Sequence, residues 1–246
     1  SYMIGNNAVL WNNDDISNMY VGVGAGAVDN GSSNTFVGWL AGTANTNGTA
    51  NTFVGAGAGQ ANTTGQDNTF IGNIAGSDNT TGMDNVFIGH QAAISNTTGS
   101  FNIALGFNAG NANTTGTNNL FIGRNTNANA ANLNNAIALG AWARVDASNS
   151  MVLGSINGIN GATANTNVGI GTTAPSTRLH IVTTAGAGTG FRLVDGTQAA
   201  NRVLTSDANG NASWQAAPIE PLKALITQLQ TEVEVLKQQV FALCKN

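Results

Sequence analysis

Asn51 to Asp67 reads N-T-F-V-G-A-G-A-G-Q-A-N-T-T-G-Q-D, and Asn68 to Asp84 reads N-T-F-I-G-N-I-A-G-S-D-N-T-T-G-M-D. These are two copies of one 17-residue pattern. Working outward from them, an apolar pair or triplet followed by glycine recurs at Gly5, Gly22, Gly38, Gly55, Gly72, Gly89, Gly106, Gly123, Gly140 and Gly154. The intervals are 17, 16, six of 17 and a last one of 14 residues. Seventeen residues are too few for a pair of packed helices. They suffice for one coil of a β-solenoid: a short strand at N-T-F-V, a bend at glycine, a second short extended piece, and a corner at T-T-G.

If each repeat is one coil, each position of the pattern becomes a column rising ~4.8 Å per coil. Phe36, Phe53, Phe70, Phe87 and Phe121 form one column; Val37, Val54, Ile71, Ile88, Leu105, Ile122, Leu139 and Leu153 form the next. Neighbouring strand residues point to opposite faces, so two adjacent apolar columns predict that both faces are covered. One is the interior of the coil. The other meets something else, and a copy of the same chain is the simplest candidate. Asn62, Asn79, Asn96 and Asn113 fall in register, as do Asn34, Asn51, Asn68, Asn85, Asn102 and Asn119, which predicts stacked amides bonded along the ladder. The N-T-T triplets also match the glycosylation acceptor pattern, but the repeat explains them without a glycan.

Composition agrees with an all-β chain. Only 8% of the 246 residues are charged and 32 are glycine, a content suited to tightly turning, stacked strands. The net charge is −4, and Asp14, Asp15, Asp29, Asp67, Asp78 and Asp84 all precede Arg124, the first cation. Nucleic acid is thereby excluded as an expected partner, because phosphate binding needs clustered cations. Cys244, the single cysteine, has no intrachain partner and is read as a reduced thiol, with an intersubunit disulfide as the alternative. No stretch approaches the ~20 apolar residues of a membrane span, and Ser1 opens no signal segment, so any export signal is expected to have been removed or not needed.

After Gly154 the period breaks. The segment from Asn167 to Gln215 predicts three short strands, with Asn209-Gly210 as a turn between the last pair. Pro218 and Pro221 then separate this small neck from a helix in which Leu222, Ile226, Leu229, Val233, Leu236, Val240 and Leu243 alternate spacings of four and three. That is a coiled-coil seam, β-branched at a and leucine at d, with Glu232 at g and Lys237 at e placed for an interchain ion pair. The a/d choice alone favours two strands; the solenoid argument favours three. The expected organisation is a β-solenoid head or shaft over 1–165, a β-rich neck over 166–217 and a trimerising coiled coil over 218–246.

The repeated motif at Asn85 to Gly89, Asn102 to Gly106 and Asn135 to Gly140 resembles the heads of trimeric autotransporter adhesins, although its coil is longer than the usual adhesin repeat. The stretches N-V-G-I-G-T-T-A-P-S-T-R-L-H-I (Asn167 to Ile181) and R-V-L-T-S-D-A-N-G-N-A-S-W (Arg202 to Trp214) resemble the distal part of phage-type tail fibres, here without the intramolecular chaperone. The resemblances imply a left-handed β-roll wound by three chains, a homotrimeric fibre outside the cell or on a virion tail, and binding to a glycan or cell-surface receptor. Filament formation by end-to-end stacking of trimers is the alternative.

The motifs point to no enzyme, cofactor or metal. His90 and His180 lie in different regions, and the H-E-x-x-H, G-x-S-x-G and phosphate-loop spacings are missing. The G-A-G-A-G run from Gly55 to Gly59 lacks the βαβ context of a dinucleotide loop. A glycan-cleaving spike would need an acid pair in a groove. The position after each repeat glycine is the variable one: Val23, Trp39, Ala56, Asn73, His90, Phe107, Arg124, Ala141. Variation inside a strict repeat predicts an outward side chain. Trp39, His90, Phe107 and Arg124 are therefore the ligand-binding candidates, through stacking and hydrogen bonding, with Trp39 and Phe107 filling interchain gaps as the alternative. Asp67 and Asp84, at matching positions, are read as turn residues in preference to cation ligands.

Overall fold

The computed structural model describes residues 2–4, 7–11, 17–183, 193–194, 196, 198–200, 202–217 and 219–243. Cys244 and Pro218 lie outside them. Two compact units divide the chain, Ser1–Val182 and Thr183–Asn246.

In the first unit, β1 (Tyr2–Ile4) and β2 (Asn7–Trp11) pair antiparallel, and β2 pairs antiparallel with β3 (Met19–Val21). A parallel ladder then follows through β4 (Thr35–Val37), β5 (Thr52–Val54), β6 (Thr69–Ile71), β7 (Val86–Ile88), β8 (Ile103–Leu105) and β9 (Leu120–Ile122). Next come β10 (Asn127–Ala128), β11 (Ala136–Leu139), β12 (Arg144–Val145) and β13 (Ser150–Leu153). Of these, β11 and β13 extend the ladder to an 11-stranded sheet, and β10 and β12 pair parallel as a second, two-stranded one. Thr52 lies opposite Thr69, Phe53 opposite Phe70 and Val54 opposite Ile71, a register of one 17-residue repeat per coil. The chain is a parallel β-solenoid, as the period predicts.

Within each strand the pleat decides what is inside. Phe36, Phe53, Phe70 and Phe87 are fully buried and stack ring on ring, with centroids 4.8, 4.8 and 4.7 Å apart. Tyr20 begins this column, and Ala104 and Ala138 continue it around Phe121, three members additional to those the repeat singles out. An alanine column, Ala41, Ala58, Ala75, Ala92 and Ala109, fills the opposite wall at zero exposure. So small a wall residue is dictated by the thinness of a 17-residue coil around a phenyl ring. Gly59 shows how tight the fit is: it has φ +56°, and a Cβ there would lie 2.5 Å from the Phe53 ring.

The asparagines satisfy the polar backbone inside this core. Asn51 Nδ2 donates to the carbonyl of Gly65 at 2.8 Å, and the Asn51 Oδ1 accepts from the backbone N–H of Asn68 at 3.0 Å. Asn68, Asn85, Asn102 and Asn119 repeat these bonds. In the second row each Nδ2 donates to the Oδ1 one coil back, Asn62 to Asn45, Asn79 to Asn62, Asn96 to Asn79 and Asn113 to Asn96. Asp29 heads this row: its Oδ1 accepts from Asn45 Nδ2 at 2.7 Å. The four N-T-T asparagines, Asn62, Asn79, Asn96 and Asn113, are at most 1% exposed, so the folded coil withholds them from glycosylation.

Beyond Gly154 the first unit adds β14 (Val168–Ile170) and β15 (Leu179–Ile181), a parallel pair. The second unit holds an antiparallel hairpin, β16 (Arg202–Ser206) and β17 (Ala212–Ala216), and the helix α1 (Ile219–Leu243). Among the described residues from Asn167 to Gln215 there are four strands where three are expected, because the Asn167 to Ile181 stretch holds a parallel pair of its own. The G-F-R-L-V-D-G stretch falls mostly outside the described residues. Pro221 lies inside the first turn of α1, not ahead of it; its missing N–H has no helical acceptor there.

Asn209 and Gly210 sit in the hairpin loop as expected, with Gly210 at φ +82°. Asp207 organises the loop. Its side chain accepts from the N–H groups of Asn209 and Asn211 at 2.9 and 2.8 Å and from Asn211 Nδ2 at 2.8 Å. The Asn211 side chain, then its backbone, holds the Asp207 carboxyl below its usual range. A lowered folded-state pKa means that these bonds are complete above the unfolded value of about 3.9 and are lost as pH falls through the folded one. The amide resonances of Asn209 and Asn211 are therefore expected to shift in acid with a midpoint below that value; a midpoint at or above it would show that the carboxylate does not hold the turn.

Candidate functional site

The outward surface of the coils carries the second apolar column. Ile71, Ile88, Leu139 and Leu153 are 36–46% exposed on the single chain. The strand position two residues before them changes along the solenoid, from Thr35, Thr52 and Thr69 to Val86, Ile103, Leu120 and Ile137. From β7 onward the sheet therefore turns a two-column aliphatic face outward.

Beside this face runs the variable column. Trp39, at 60%, is the most exposed of its aromatics, and His90, Phe107 and Arg124 are also exposed. Their spacing of one repeat per coil forces planar side chains to stack. The His90 and Phe107 rings lie 5.3 Å apart at 10°, and the Arg124 guanidinium lies over the Phe107 ring at 5.6 Å and over the Trp142 ring at 5.5 Å. Trp39 stands apart, with Ala56 and Asn73 occupying the coils between it and His90. Three of the four candidates are brought together, and Trp142 joins them. It sits one position past the variable column, at φ +64°, and that left-handed turn brings its ring over Arg124.

Electrostatically the two arginines of this region differ. Arg144 forms a two-point ion pair with Asp146, Nε to Oδ1 at 2.7 Å and a terminal nitrogen to Oδ2 at 3.0 Å, which raises its pKa further. Arg124 has no carboxylate partner among the described residues; its contacts are the two rings. Asp67 and Asp84 are exposed at φ +55° and +56°, and their N–H groups donate to the carbonyls of Thr49 and Gln66, the turn role expected of them.

Comparison with protein-family models, curated proteins and solved structures yields no match for this chain. The functional reading therefore rests on the residues themselves.

The second surface is the helix. Leu222, Ile226, Leu229, Val233, Leu236, Val240 and Leu243 are 48–75% exposed on the single chain. Leu225, Val235 and Phe241 add apolar surface beside the seam. Lys237 Nζ pairs with Glu234 at 3.1 Å within the helix, and Glu232 accepts from Gln228, so on the single chain neither Glu232 nor Lys237 makes the contact expected across a seam.

Proposed function

We propose that the chain is a segment of a homotrimeric, non-enzymatic extracellular fibre, structural and adhesive in role, whose solenoid faces bind a surface or glycan. The observation that carries this reading is the unbroken apolar seam of α1, all of it exposed on one chain. An isolated helix of this length is marginal in water, and each seam residue gains roughly 1.5–3 kcal/mol when buried, so partner helices are the natural complement. The aliphatic outer face of the solenoid asks for the same cover. Three chains would give each surface a partner, in keeping with the adhesin-head and tail-fibre resemblances, which support a location at a cell surface or virion tail.

The alternative, trimers stacking end to end into filaments, needs an open parallel strand to act as a template. Against it, β2 covers the outer edge of β3 in antiparallel pairing. Light scattering of the purified chain at micromolar concentration is expected to give the mass of three chains, and electron microscopy short rods of one length. Leu229→Asp combined with Leu236→Asp should reduce the mass to that of one chain. A parent protein that is monomeric, or a seam variant that stays trimeric, would overturn the role of the helix.

A further inference from the structure

We propose that the outer edge of the His90, Phe107, Arg124 and Trp142 stack is a binding site for the carboxylates of acidic glycans, with Arg124 reading the charge. The inference rests on the adhesive reading of the solenoid and names the ligand class that reading leaves open.

Stacking along the column closes the faces of these side chains and leaves their edges to solvent. Phe107 has His90 5.3 Å away and the Arg124 guanidinium 5.6 Å from its ring centre, so a sugar ring has little access to its flat surface. For an arginine the same arrangement has the opposite effect. The five guanidinium N–H donors lie in the plane of the group, and contact with the two ring faces takes none of the oxygen acceptors those donors can use. Arg124 is exposed, and among the described residues no acceptor or carboxylate takes its side-chain donors. Arg144 and Arg178, the other described arginines of the first unit, donate to Asp146 and to the Thr166 carbonyl.

A planar fork suits a planar two-oxygen anion, which it meets in two parallel hydrogen bonds. The ring contacts also restrict the side chain before binding, which lowers the entropy lost on association. Polyanions with two or more charges per sugar are a poor match, since the net charge of the chain is −4 and no further arginine or lysine lies in this column. Uronate and sialate residues, with one carboxylate per charged sugar, match better. Asn108 and Asn125, joined at 3.1 Å on the neighbouring column, supply amides for sugar hydroxyls.

The test uses the full chain against polygalacturonate and a sialylated oligosaccharide, with methyl-esterified polygalacturonate and neutral galactan as controls. At least one acidic glycan is expected to bind, which of the two identifying the source of the carboxylate, and the controls are expected not to. Arg124→Ala is expected to weaken binding about tenfold or more, the scale of a charged hydrogen bond. Arg124→Lys should weaken it similarly, because an ammonium keeps the charge and loses the fork. Both variants should keep the parent's melting temperature and chain number. Equal binding by Arg124→Ala, equal binding of the esterified polymer, or no binding of either acidic glycan overturns the proposal. Any of these from a three-chain rod leaves the fibre reading intact, whereas a monomeric parent fails that reading regardless of what it binds.

Discussion

Phe70→Asp is expected to unfold the solenoid, whereas Ile71→Asp, one residue further on, is expected to leave the single chain folded and block its assembly. Phe70 is fully buried between Phe53 and Phe87, with centroids 4.8 and 4.7 Å away. Removing such a ring costs about 3–5 kcal/mol through lost burial and the cavity left behind. The new carboxylate has no partner in a column of phenyl rings and alanine methyls, which adds several kcal/mol. Together these approach the whole stability of an ordinary domain, roughly 5–15 kcal/mol. Ile71 is 38% exposed on the outward face, so a charge there remains solvated unless another chain covers it. Circular dichroism and thermal melting report the first change, and light scattering the second. Unchanged melting of Phe70→Asp would show that the ring column is not the core. Unchanged chain number and melting of Ile71→Asp would show that nothing packs on the outer column.

The contrast between these two neighbours was only half legible in the sequence. Strand alternation requires Phe70 and Ile71 to face opposite ways, but it does not by itself say which way is in. A further clue lay two residues upstream: Asn68 shares the face of Phe70, and an asparagine repeated in register finds its amide partners on the closed side of a coil. The period itself was readable because every coil must offer the same room at the same place. Irregular pieces were not. β10 and β12 are two residues each, too short to carry a pattern, and the parallel pairing of β14 with β15 depends on how their connection folds back, which no single residue announces.

The same limit applies to the candidate site. Outward placement of Trp39, His90, Phe107 and Arg124 follows from their being free to vary within a strict repeat. The stack of His90, Phe107 and Arg124 depends on side-chain rotamers, and Trp142 enters it from the next position along the coil through a left-handed backbone. A tryptophan outside the variable column gives no sequence signal of that approach. The stacking also changes the chemistry expected: with its flat faces covered, the group offers hydrogen-bonding edges in place of a platform for sugars.

Asp29→Ala is expected to cost the solenoid about 2–5 kcal/mol, the range for buried hydrogen-bond donors stripped of a charged partner. In the sequence Asp29 reads as a stray acid, because the 16-residue interval at this coil moves it out of step with Asn45 and Asn62. In the fold it is the first member of their row. Each amide of the row donates one N–H to the oxygen one coil back, and at the head both oxygens of Asp29 face donors. A carboxylate accepts on both sides, whereas an amide would turn its NH2 group toward one pair of those donors. Asp29 is 3% exposed; Oδ1 accepts from the Gly31 N–H and from Asn45 Nδ2, both at 2.7 Å, and Oδ2 accepts from Asn34 Nδ2 at 2.9 Å and from the Tyr20 hydroxyl. Alanine removes both oxygens, and with them the acceptor of each of these four donors. Asp29→Asn should cost less, since its remaining oxygen can still take Gly31 and Asn45, and the Tyr20 hydroxyl can rotate to accept. Urea melting ranks the variants, and amide exchange locates the damage. Loss of protection is expected first in the coils from Asn18 to Gly48, where the bonds of Asp29 converge, and only later around Asn96 and Asn113. Equal stability of Asp29→Ala and the parent, with protection unchanged in those first coils, would mean that the amide row carries no direction and needs no anionic head.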